Sequence, residues 1–89
     1  MVYVTAVHMT GGTQHEHIES VKWLQPTDKS TGQSTGAAMV TFIRDQKGDA
    51  RVTDGKTEVQ IGVVEGTPPF IRTYADGVWT DNLLSLPRY

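Results

Sequence analysis

The chain has no cysteine, so no disulfide can staple it and no thiolate can serve as a nucleophile or metal ligand. That absence sets aside the disulfide scaffold on which many small extracellular domains depend, and makes a reducing interior the simpler expectation. Long apolar runs are missing as well: no segment approaches the roughly 18 residues needed to cross a bilayer. Met1-Val2-Tyr3-Val4 carries no basic leader, and the expectation is a cytoplasmic protein with no membrane association. Positive charge is in deficit, with a formal net charge of -2 and a pI near 5.8. Broad binding to DNA or RNA, which leaves a basic electrostatic footprint, is therefore not expected. Aromatic residues are few at 8%, so a place where several gather, as Phe70, Tyr74 and Trp79 do, carries information.

What is present fits one small globular domain spanning residues 1–89. A chain of this length buries only roughly 60 to 65% of its unfolded surface, and 37% hydrophobic with 20% charged residues is too apolar and too mixed for a disordered segment. Val2–Met9 is β-branched and aromatic on both parities, the pattern of a strand with two covered faces or a central place in a sheet. Gly11-Gly12 breaks it, and residues 17–25 return as a second strand with Val21 and Trp23 on one face, ending at Pro26. Residues 26–36 hold no apolar side chain before Gly36 and predict an exposed connection.

Residues 35–47 fit a helix through Met39, Phe42 and Ile43 at i, i+3 and i+4, although Ala38, Val40 and Phe42 also alternate. Ser34 or Thr35 can cap its amino end, Lys47 suits its carboxyl end, and Gly48 can supply the left-handed closing residue. Residues 50–53 and 56–64 flank Asp54-Gly55, which predicts a hairpin with a tight two-residue turn and Val59, Ile61 and Val63 on its dry side. Pro68-Pro69 stiffens the next connection. Residues 70–74 then read as a strand, and Asp76-Gly77 as a second tight turn into Val78-Trp79-Thr80. Asp81 is placed to cap a last helical turn through Leu83, Leu84 and Leu86, stopped by Pro87. The fold expectation is α+β: a single small antiparallel or mixed β-sheet of about five strands, ordered β-β-α-β-β-β, with one helix packed on one face.

Two clusters carry the chemistry. Gly11-Gly12-Thr13-Gln14-His15-Glu16-His17 gathers two of the three histidines. In an extended segment His15 and His17 would project to one side, about 7 Å apart, and His8 would join them if the glycine turn folds back, giving a nitrogen site for zinc with Glu16 or Glu19 nearby. The same residues also suit a solvated loop ordered by one local histidine hydrogen bond. As a general base, His15 or His17 lacks an evident nucleophile: Ser20, Ser34 and Ser85 sit in no sharp glycine-flanked elbow, and no phosphate-cradling loop with its lysine is present. No catalytic residue is assigned. The second cluster is Arg72, Thr73, Asp81 and Asn82 among Phe70, Tyr74 and Trp79, a combination that suits a planar ring, a nucleotide or a partner's peptide. It equally suits a core edge, with Asp81 as the simplest ion-pair partner of Arg72. The candidate ligand-binding residues are Gly11, Gly12, His15, His17, Arg72, Thr73, Asp81 and Asn82, with His15 and His17 as the candidate metal ligands.

Gly11-Gly12 followed by His15-Glu16-His17-Ile18 and Val21-Lys22-Trp23, then Pro69-Phe70-Ile71-Arg72-Thr73, Asp76-Gly77 and Asp81-Asn82-Leu83-Leu84-Ser85-Leu86-Pro87, resemble a family of small uncharacterised bacterial and phage proteins, of the domain of unknown function 3892 type. The resemblance spans nearly the whole chain and is most specific at its carboxyl end. It implies a self-contained domain of prokaryotic or phage origin and transfers no catalytic residue.

Three functional readings follow. The first is a non-catalytic binding module for a protein partner or a small nucleotide-like ligand, as a phage or mobile-element accessory, which predicts a concave surface joining Arg72 to the Gly11-Gly12 loop, or an exposed apolar patch larger than scattered surface residues give. The second is a metal-assisted hydrolase built on His15, His17 and a carboxylate, which predicts that these groups converge. The third is a structural or oligomerisation domain, in which an exposed strand edge pairs with a second copy to form a homodimer.

Overall fold

In the computed structural model, which describes residues 1–89, seven strands form one mixed sheet: β1 (Val2–Met9), β2 (Ile18–Gln25), β3 (Ser30–Thr35), β4 (Ala50–Thr53), β5 (Glu58–Val64), β6 (Phe70–Ala75) and β7 (Val78–Thr80). Their order across the sheet is β3-β2-β1-β4-β5-β6-β7. Every pairing is antiparallel except β1 with β4, which run parallel through Val2↔Ala50 and Tyr3↔Arg51. β1 is thus an inner strand, and its apolar residues of both parities reach one core because the register with β2 shifts between Val4 and Ala6, which leaves Val4 and Val7 both buried. Farther along β1 the place of β4 is taken by the carboxyl-terminal segment: Val7 N donates to Pro87 O at 3.0 Å and Tyr89 N donates to Val7 O at 3.2 Å.

Seven strands replace the roughly five expected, and the difference lies at the two edges. Residues 26–36 do not form only a connection. Ser30–Thr35 pairs with β2 through six consecutive residues, Ser20↔Thr35 to Gln25↔Ser30. A strand at a sheet edge that is wet on most of its surface needs no apolar alternation, so the pattern that identifies buried strands is absent from it. At the other edge, Val78–Thr80 stands as a strand in its own right.

The helix is shorter than expected. It runs as α1 (Gly36–Val40) and widens into a π-helical turn (Thr41–Asp45). Thr35 is its cap, with the side-chain oxygen accepting from Ala38 N at 3.1 Å. Met39 and Val40 are buried, while Phe42 and Ile43 pack against the core from half-buried positions. The left-handed closing residue is Lys47 (φ 57°) and not Gly48. Gly48 instead lies under the Phe42 ring, where a Cβ would overlap the aromatic carbons, and its N–H donates to Phe42 O at 2.7 Å.

The β4–β5 connection also differs from the two-residue turn expected of Asp54-Gly55. Thr53 pairs with Glu58, so the loop holds four residues, closed by Asp54 Oδ1 accepting from Lys56 N at 2.9 Å and Thr57 N at 2.8 Å. Asp76-Gly77 does form a two-residue turn, since Ala75 pairs with Val78. Both turn residues have positive φ, 53° and 81°, the geometry that matches strand twist in a hairpin. After β7 a 3₁₀ turn (Asn82–Ser85) carries Leu83 into the centre of the core, fully buried beside Val4, Val7, Ile61 and Ile71. Its N-cap, Asp81, makes no capping bond; the carboxylate that was expected there turns to Arg72.

Candidate functional site

The loop between β1 and β2 is not extended. A 3₁₀ turn (His15–His17) folds it back, with His17 N donating to Gln14 O at 2.9 Å and Thr10 N to His17 O at 2.9 Å. His17 Nδ1 accepts from Gln14 N at 3.1 Å, so this imidazole is used to order its own loop. Gly11 takes φ +80°, and a Cβ on Gly12 would stand 2.5 Å from the His17 ring. The glycine pair thus permits a tight turn and a close ring contact. His8 lies elsewhere, bonded through Nδ1 to the Tyr89 backbone oxygen. The three histidines do not meet, and no group of three His, Asp or Glu side chains is close enough to hold a metal ion.

His15 is the residue that the turn drives inward. It is 5% exposed, and its Nε2 is sealed without a hydrogen-bond partner. The nearest anion is Asp81, whose Oδ1 lies 3.9 Å from Nε2, too far for a hydrogen bond. That same oxygen accepts from Arg72 Nη2 at 2.9 Å, while Arg72 Nε donates to Thr80 O at 3.1 Å. Thr73, fully buried, donates to Thr80 O at 3.0 Å, and the Thr80 hydroxyl stands 2.7 Å from both Thr73 Oγ1 and Asn82 Oδ1. Five of the candidates, His15, Arg72, Thr73, Asp81 and Asn82, are therefore assembled from β6, the start of the 3₁₀ turn that follows β7, and the 3₁₀ turn before β2. Gly11, Gly12 and His17 stand apart from them.

Burial holds the His15 pKa below the usual histidine value, and the Arg72 cation pushes it further down; Asp81 and Glu16 oppose the shift. The ring is neutral at neutral pH. With a carboxylate facing Nε2, electrostatics favours the tautomer that carries its proton there, which leaves Nδ1 as the acceptor. No hydroxyl bonds to Nε2.

On another side of His15 lies a groove of about 280 Å³. Its walls are His15, Glu16, Ile18 and Glu19, the start of α1 at Thr35, Gly36 and Ala37, and the corner Pro68, Pro69, Phe70 and Ile71. The Thr67–Pro68 peptide is cis. Glu16 and Glu19 are exposed on the rim, and Glu19 Oε2 accepts from Thr10 Oγ1 at 2.6 Å. Ile18 and Ile71 are buried and make an apolar floor with half-buried Phe70. The groove does not reach Arg72 or Gly11-Gly12; His15 alone belongs to both it and the Asp81–Arg72 cluster. A sequence reading passes over Thr35–Ala37 and Pro68-Pro69 as wall residues because nothing in their types is chemical. They become walls only when α1 and β6 come together.

A second polar network lay outside the candidates. Arg51 grips Asp49 through Nε (3.0 Å) and Nη2 (2.8 Å) and reaches Glu58 through Nη1 (2.8 Å). Tyr3 Oη donates to Glu58 at 2.6 Å, and Gln60 Nε2 to Asp49 at 2.7 Å. The Tyr3 hydroxyl, with help from Arg51, lowers the Glu58 pKa, and the Arg51 guanidinium lowers that of Asp49. Every member has its partner, as in a cross-strand clamp joining β1, β4 and β5. The alternation of Asp49 with Arg51 and of Glu58 with Gln60 was the available signal.

A family model described as Protein of unknown function (DUF3892) matches residues 3–87, and the chain belongs to that family. No curated protein and no solved structure matches it.

Proposed function

We propose that this member of the family is a small non-catalytic binding module whose binding surface is the His15 groove, and that its ligand is an extended segment of a protein partner carrying a lysine or arginine beside an apolar side chain. The observation that carries this reading is the groove's make-up: an apolar floor of Ile18, Phe70 and Ile71 under a rim bearing Glu16 and Glu19. An apolar floor rewards burial of a side chain, and two carboxylates reward a cation above it. The same rim repels a nucleotide, whose phosphates would face two carboxylates with no lysine or arginine among the groove's walls. Arg72, next in the chain to the groove residue Ile71, is already committed to Asp81 and Thr80. Within the bacterial and phage setting that the sequence resemblance implies, such a module acts as an accessory protein that captures a partner.

The test is an NMR titration of the labelled protein with a capped Leu-Lys-Leu peptide, its glutamate counterpart and ATP. The reading expects saturable shifts at Glu16, Glu19, Phe70 and Gly36 with the lysine peptide, and weaker or no shifts there with the other two. A response to ATP at the groove, or a lysine-peptide response mapped elsewhere, overturns it.

A further inference from the structure

The two edges of the sheet are built differently. β7 is three residues long, begins at a tight turn with two positive φ angles, and ends where the chain turns into the 3₁₀ segment. Short and bounded edges of this kind resist strand addition. β3 is twice that length and pairs with β2 without a register break, whereas β1–β2 has two. Its outer side carries no strand. Its side chains, Ser30, Thr31, Gly32, Gln33, Ser34 and Thr35, include no proline, no charge and no inward-pointing lysine, the usual devices that keep an edge from pairing.

We infer that β3 is a self-pairing edge, and that two copies of this chain join β3 to β3 antiparallel about a two-fold axis near Gly32 and Gln33, making one continuous sheet. A second copy is the favoured occupant on three grounds. The strand is uncharged along all six residues, so two copies meet without like-charge repulsion. An antiparallel pair of identical edges closes on itself and leaves no further β3 edge to propagate. With a net charge of only -2, the protomers have little long-range repulsion to overcome. This inference does not depend on the His15 groove, which touches β3 only at its last residue, Thr35.

Sedimentation equilibrium of the full chain over a wide concentration range, beside the double variant T31K/Q33K, is the test. The wild type is expected to move from 9.8 kDa toward twice that mass. The variant, with four lysines brought together at the axis, is expected to dissociate at a concentration roughly tenfold or more higher. Because the variant could fold poorly, amide hydrogen exchange on the wild type gives a second reading: β3 amides should gain protection as concentration rises. A wild type that stays at 9.8 kDa up to millimolar concentration, a folded variant that associates equally well, or an associated wild type whose β3 amides gain no protection overturns the proposal.

Discussion

His15 is the residue on which the site turns, since it is buried, unbonded at Nε2 and shared by the groove and the Asp81–Arg72 pair. Its pKa is lowered by folding, so below the ordinary histidine value near about 6.5 the unfolded chain binds a proton that the folded one resists. Stability contributed by neutral His15 is full above that pH and is lost as pH falls through the lower folded value. Urea midpoints for wild type should therefore decline from about pH 6.5 downward, and His15→Gln should flatten that part of the profile; an unchanged slope counts against the buried neutral ring. Arg72→Gln removes the cation and frees Asp81 to face the imidazole, so the His15 pKa, followed by its ring proton shifts, should rise. The sequence made Arg72 and Asp81 readable as an ion pair because a guanidinium and a carboxylate close in a hairpin usually meet. It could not show that His15, more than fifty residues earlier, would be carried to the same carboxylate, since that depends on a turn packing against β6.

At the scale of elements, the hairpin turns and the cap were legible and the β3 edge was not. Thr35 caps α1 as its type and position suggested, and Thr35→Ala should cost about 1 kcal/mol in thermal or urea unfolding. Asp76-Gly77 announced its turn because two positive φ angles restrict the residues that fit. Asp54-Gly55 announced a turn but not its length, which Asp54 sets by bonding two backbone N–H groups. Helical spacing of Met39, Phe42 and Ile43, followed by Lys47 and Gly48 as end residues, predicts a longer helix than forms. The chain instead widens after Val40 and stops with Lys47 in the left-handed region. β3 leaves no trace in the apolar pattern because its pairing is made by the backbone, and a polar edge has no apolar period. The 3₁₀ turn after β7 matters more than its four residues suggest: Leu83 is fully buried at the centre of the core, and Leu83→Ala should cost roughly 2–5 kcal/mol. A smaller loss would mean that the carboxyl-terminal turn is a cover and not part of the core.

For the whole molecule, none of the helices is long and apolar enough to cross a membrane. The sheet organises the surfaces by position: the groove lies where the β1–β2 turn, the start of α1 and the corner before β6 converge, the Asp49–Arg51–Glu58 clamp ties β4 to its neighbours, and β3 runs along the open edge. On the proposed function, the groove selects a cation above an apolar side chain. Calorimetric binding of the capped Leu-Lys-Leu peptide to wild type and to Glu16→Lys addresses it most directly, because Glu16 is exposed, makes no hydrogen bond through its side chain and can be reversed without disturbing the core. The wild type should prefer the lysine peptide over its glutamate counterpart, and the variant should bind the lysine peptide about tenfold or more weakly and narrow or reverse the preference. Equal binding of the lysine peptide by both proteins would rule out cation selection by the groove.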